Sequence, residues 1–216
     1  DSPTTTTQGT ALHYNGTKWL AVTDAGLGTG QINSVWATSS DFVYICGVGG
    51  LLARYDGLAW NLINGGTTVN LHSIWGTPGG LASSVVFAAG DNGSIFRIRY
   101  AVDTQWAKLQ TTGTINTLFG IYGDGSQVVY AVGSGGAVVR ADPPFDTFAA
   151  QGNTALSTLF AVRTSANGLA WAGGALSFAL VLFVLAGHWW PAPPAAVATV
   201  SALRDVEVEY VESDLP

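Results

Sequence analysis

The sequence predicts an all-β chain, a β-propeller of about five four-stranded blades, and three periodic series predict it. The first is an aromatic residue, two small or apolar residues and a glycine, at Tyr44-Ile45-Cys46-Gly47, Phe87-Ala88-Ala89-Gly90, Tyr130-Ala131-Val132-Gly133 and Trp171-Ala172-Gly173-Gly174. Its final glycines stand 43, 43 and 41 residues apart. The second is Trp19, Trp60, Trp106, Phe148 and Trp189, spaced by 41, 46, 42 and 41 residues. The third is a pentapeptide with an apolar residue at its first and fourth positions, beginning at Ile32, Leu71, Leu118, Leu159 and Leu203. A repeat near 43 residues is the length of one propeller blade, a unit that cannot hide its apolar faces alone and must stack on its neighbours.

The repeats divide the 216 residues into 9–50, 51–93, 94–136, 137–177 and 178–216, one domain. In the second copy, Leu71 to Trp75 reads as the first strand, Ser84 to Ala89 as the second, and Ser94 to Arg99 as the third. A fourth follows around Trp106 to Leu109. In the third strand Ile95, Arg97 and Arg99 alternate with Phe96 and Ile98, the pattern of a sheet with one wet face. Asn15-Gly16, Asp56-Gly57, Asn92-Gly93 and Asp124-Gly125 mark turns, because glycine adopts the positive φ of tight hairpins at no steric cost. The N-terminal run Thr4 to Thr7 falls where a glycine-ended strand belongs, so an N-terminal strand closing a five-bladed ring is one expectation, and a part of a longer, six- to eight-bladed propeller is the alternative.

Residues 169–187 carry no charge and meet His188-Trp189-Trp190-Pro191, a pattern that by hydropathy also fits a transmembrane helix and association with a membrane. The repeat register opposes this, since Trp171-Ala172-Gly173-Gly174 and Trp189 fall on blade positions and the pentapeptide resumes in phase at Leu203. An incomplete propeller with a C-terminal membrane helix is the alternative.

Only 10% of residues are charged, with a net charge of −6, and the eight Lys and Arg are scattered. That excludes a nucleic-acid partner, which needs clustered cations. The one cysteine, Cys46, lies in an apolar strand and is read as a packed free thiol. The Thr- and Gly-rich, weakly charged composition fits an extracytoplasmic setting.

His13-Tyr14-Asn15-Gly16-Thr17-Lys18-Trp19, Arg54-Tyr55-Asp56-Gly57-Leu58-Ala59-Trp60, Ser34-Val35-Trp36-Ala37 and Ser73-Ile74-Trp75-Gly76 resemble the repeats of bacterial exported β-propellers, those related to photosystem II assembly-factor and BNR/Asp-box propellers. The resemblance spans nearly the whole chain, most strongly up to about residue 140. It implies the fold; activity does not follow from it, since propellers serve as lectins, scaffolds and hydrolases alike.

No enzyme chemistry is expected. Glu207, Glu209 and Glu212 crowd the last repeat, and most arginines sit on third strands, away from where a sialidase-like site would form. His13, His72 and His188 occupy unrelated repeat positions, so neither a metal centre nor a cofactor is expected. The candidate binding surface is the set of equivalent residues Trp36, Trp75, Tyr122, Arg163 and Glu207, whose rings could stack on sugars or grip a protein loop. Packing between blades is the competing role for the three aromatics. The function expected is a non-enzymatic scaffold that binds a protein partner or joins a larger assembly. A multivalent lectin binding glycans is the first alternative and a sialidase-like glycoside hydrolase the second.

Overall fold

A computed structural model describes residues 11–22, 30–63, 65–77, 84–100, 103, 105–124, 128–153, 157–165, 169–175 and 183–185. Among these every regular element is a β-strand or a short 3-10 turn. A hairpin of β1 (Ala11–Tyr14) and β2 (Trp19–Val22) comes first. The antiparallel sheet β3 (Ile32–Ser39), β4 (Phe42–Gly47), β5 (Leu52–Tyr55) and β6 (Trp60–Leu62) follows. Two further four-stranded units repeat that order, β7 (Leu71–Gly76), β8 (Val85–Gly90), β9 (Ile95–Arg99) and β10 (Ala107–Thr112), then β11 (Leu118–Gly123), β12 (Val129–Gly133), β13 (Val138–Ala141) and β14 (Thr147–Ala150), and β10 joins β14 so that the two form one eight-stranded sheet. The last is β15 (Leu159–Thr164), β16 (Ala170–Gly174) and β17 (Phe183–Leu185).

The first strands β3, β7, β11 and β15 lie side by side, so each unit is a blade whose first strand faces the centre. Ser34 Oγ accepts a hydrogen bond from Ile74 N at 3.2 Å, and Ser73 Oγ does the same for Ile121 N at 3.2 Å. These two bonds tie β3 to β7 and β7 to β11. On the outer side, β10 pairs with β9 up to Leu109 and then runs parallel to β14 of the next blade, opposite Thr147 to Ala149. An edge that would otherwise offer free backbone groups is thereby used.

The cores lie between blades. Phe42, Tyr44, Cys46 and Leu52 of the β3–β6 blade pack with Leu71, Ile74, Phe96 and Trp106 of the next. Trp106 meets Tyr44 edge-on at 5.9 Å, and Phe148 meets Phe87 likewise at 6.0 Å, which accounts for the aromatic period in the fourth strands. Both faces of a blade are therefore buried, and the wet face expected for the third strand is corrected. Ile95 and Phe96, on opposite faces, are both buried, and so is Arg97. Arg97 Nη1 reaches the next blade, donating to Phe145 O at 2.9 Å, Pro144 O at 3.3 Å and Asp146 Oδ1 at 2.6 Å.

The described part of the apolar run 169–187 forms β16 and β17, paired as Ala170↔Leu185 to Ala172↔Phe183, so the helical alternative does not hold for those residues. Among the described residues no helix is long and apolar enough to cross a membrane. Thr4 to Thr7 lie outside the described residues.

Candidate functional site

Each blade's second strand ends on the recurring glycine, and the first strand beside it is irregular in the same way. The register slips between Ile32 and Ser34, Leu71 and Ser73, Leu118 and Gly120, and Leu159 and Ala161. At this place one residue is therefore extra in each inner strand, Asn33, His72, Phe119 and Phe160, and β3 slips a second time between Ala37 and Ser39. A bulge of this kind re-aims its side chain and is common at the rims of closed sheets.

The four bulged residues form a continuous row across the inner strands. Asn33 Nδ2 donates to Leu71 O at 2.7 Å. The His72 and Phe119 rings stand 5.2 Å apart, and Phe119 and Phe160 stand 5.3 Å apart. Phe160 is 51% exposed, while Asn33, His72 and Phe119 are half-buried.

A polar network supports the row. His72 Nε2 lies 2.8 Å from Asp91 Oδ1, which also accepts from Thr117 Oγ1 at 3.2 Å. Asn70 Nδ2 donates to Asp91 Oδ2 at 3.0 Å, and Gly49 N donates to Asn70 Oδ1 at 3.1 Å. Asp91 opens the 3-10 turn Asp91–Gly93, and its carboxylate links the β7–β10 blade to Thr117 of the next, while Asn70 carries the network on to Gly49 of the preceding blade. The His72 hydrogen bond, aided by those of Thr117 and Asn70, holds the Asp91 carboxyl below the usual carboxylate range against the opposing effect of burial.

The residues singled out in the sequence form a second row. Trp36 covers Gly76 so closely that a Cβ there would stand 2.7 Å from its ring, and Trp75 covers Gly123 at the same 2.7 Å. Tyr122 packs against Trp75 at 5.6 Å between centroids, and the Arg163 guanidinium lies over the Tyr122 ring at 4.5 Å. Four of the five are thus brought together in sequence-repeat order. Trp75 is buried, Trp36 and Tyr122 are half-buried, and Arg163 is exposed, so the outward surface of this row is mainly Arg163. Glu207 lies outside the described residues.

The bulged residues occupy the variable second position of the pentapeptide, Asn33, His72, Phe119 and Phe160, set between an apolar residue and Ser34, Ser73, Gly120 or Ala161. Alternation alone gave no sign that this position is extra to the pairing. Cys46 is fully buried, and burial pushes its thiol pKa up. No group of three or more His, Cys, Asp or Glu residues suited to a metal ion occurs among the described residues.

No protein-family model and no curated protein matches the chain. Solved structures do. A structure described as YCF48 bound to D1 peptide matches with a TM-score of 0.56 at 18% identity, over 77% of this chain and 55% of that one. The fold is a β-propeller. The computationally designed Ika4 protein matches at 0.57 and 13% identity, over 72% of this chain and 90% of that one. An ancestral GH74 enzyme matches at 0.57 and 14% identity, over 72% of this chain and 23% of that one. The propeller chain thus spans about half the length of the YCF48 chain it matches.

Proposed function

We propose that this propeller is a non-enzymatic, extracytoplasmic binding scaffold that holds an extended segment of a protein partner along the rim made by Asn33, His72, Phe119 and Phe160. The observation that carries the reading is the row itself. Adjacent inner strands bulge at the same place and present a run of touching rings with one largely exposed phenylalanine. Aromatic side chains give large contact area at little entropic cost and dominate protein interfaces. The polar support from Asp91 and Asn70 fixes the His72 ring in advance, which lowers the cost of binding. A propeller of the same fold whose solved structure holds a peptide supports the choice of a polypeptide as ligand.

The test is selection of displayed random peptides on the full chain, followed by anisotropy titration of the selected peptides against the wild type and Phe119→Ala/Phe160→Ala. Loss of about tenfold or more in affinity is expected in the double variant, the effect of removing buried aromatic anchors. Equal affinity in the two proteins, or selection of glycans but no peptides on parallel arrays, contradicts the reading.

A further inference from the structure

The side chains of the rim differ in what they leave to a ligand. Asn33 is engaged at both ends of its amide, since Nδ2 donates to Leu71 O at 2.7 Å and Oδ1 accepts from Gln31 Nε2 at 3.2 Å. Phe119 and Phe160 carry no polar side-chain atoms. In His72 one ring nitrogen, Nε2, lies 2.8 Å from Asp91 Oδ1, and among the described residues nothing bonds to the other. The side chain is 24% exposed, so a ligand reaches the ring.

Which nitrogen holds the hydrogen follows from Asp91. The imidazole first, then Thr117 Oγ1 at 3.2 Å and Asn70 Nδ2 at 3.0 Å, hold its carboxyl below the usual carboxylate range against the opposing effect of burial. An ionised carboxylate accepts hydrogen bonds and cannot donate them. Nε2 therefore carries the hydrogen, and a neutral imidazole has only one to carry. Nδ1 is left bare, an acceptor whose lone pair points away from Asp91. Exchanging the two nitrogens by turning the ring would break the Asp91 bond, and the Phe119 ring packs against the imidazole at 5.2 Å between centroids.

We infer that His72 determines what the rim selects: its Nδ1 is a fixed hydrogen-bond acceptor, and the rim takes a segment that sets an N–H or O–H donor beside apolar side chains lying over Phe119 and Phe160. This rests on the peptide-binding reading above and adds the chemistry of the ligand to it. A segment that offers only an acceptor there, such as a carboxylate, meets a lone pair and is rejected, because both groups are left unpaired. Protonation reverses the preference. A second ring hydrogen turns Nδ1 into a donor, so the bond from the ligand is lost and two hydrogens face each other. Among the described residues Asp91 is the charged group that faces the ring; Asn33 on β3, Asn70 ahead of β7, and Thr117 and Phe119 of the next blade carry no charge.

The test uses the full chain and a peptide selected on it at about pH 8. Anisotropy titrations at about pH 8 and about pH 5, the span over which histidine titrates, compare wild type, His72→Gln and Phe119→Ala/Phe160→Ala. Wild type should bind about fivefold or more weakly at the lower pH, the worth of one hydrogen bond. His72→Gln keeps a donor for Asp91 and an acceptor that does not titrate, so its two affinities should agree within about twofold. No fall in wild type, or an equal fall in His72→Gln, overturns this inference and leaves the rim reading standing if the double phenylalanine variant binds weakly. Equal binding by that double variant, or no peptide selected at all, overturns the rim reading and this inference with it. Nitrogen-15 shifts of the His72 ring check the tautomer with no ligand present. A bare Nδ1 is expected at about pH 8, and a hydrogen on Nδ1 overturns the inference.

Discussion

Changing Gly133 to alanine should damage this propeller more than any comparable surface change, and the reason is close approach. Gly133 is extended, with φ −166° and ψ −156°, a conformation any residue adopts. A Cβ built there would stand 1.9 Å from Thr117 O and 2.9 Å from Leu118 Cα, both backbone atoms of the bulged segment. No side-chain rotation relieves that contact, so the inner strand must move by about 1 Å or more to restore a normal separation of about 3 Å or greater. Overpacking of this kind costs about 1–3 kcal/mol. The displaced Thr117 carbonyl also accepts from Ser134 N at 2.9 Å, and weakening that bond adds about 1 kcal/mol. The sum, about 3 kcal/mol, corresponds to a fall in Tm of roughly 6–12 °C for a domain of this size. Circular dichroism melts of Gly133→Ala and Gly152→Ala provide the assay, since a Cβ at Gly152 meets nothing within 4 Å. A Gly133→Ala melt within about 2 °C of wild type would refute the steric origin of the repeated glycine.

Arg97→Ala should cost about 2–4 kcal/mol, because it empties a buried site and leaves the Pro144 and Phe145 carbonyls unpaired, whereas Asp146→Ala, at an exposed partner, should cost less than about 1 kcal/mol; urea unfolding separates the two. The depressed Asp91 carboxyl stabilises the fold above its unfolded value near about pH 4, and that contribution is lost as pH falls through the lower folded value. The Tm gap between wild type and Asp91→Asn should therefore narrow between pH 6 and pH 2; a gap that does not change with pH contradicts the assignment. Cys46 should stay unmodified by a thiol reagent in the native protein and react fully in denaturant, and rapid native labelling would contradict its burial.

Much of the architecture was legible because the period is imposed by contacts that tolerate few residues. The glycine ending each second strand lies against the carbonyl of the residue just before the inner strand, and Trp60, Trp106 and Phe148 fill interblade wedges. The same register correctly claimed Ala170 to Gly174 for a strand, where hydropathy alone fitted a membrane helix. Alternation misled at Arg97, since a blade is covered on both faces and a buried guanidinium bonded to three acceptors looks, in sequence, like a solvated one. Trp36 and Trp75 were legible as a set, but the small residues beneath them, Gly76 and Gly123, were the sign that their rings turn toward the next blade. The row of Asn33, His72, Phe119 and Phe160 was hidden because a bulge is a property of pairing register, which one strand's sequence does not display.

The measurement that bears most directly on the account is a hydrogen-exchange footprint of the wild-type chain with and without a peptide selected on it. Added protection should fall at residues 32–34, 71–73, 118–120 and 159–161, where the four bulges present the rim. Protection confined to other parts of the blades, with these four segments unchanged, would show that the rim is not the binding surface.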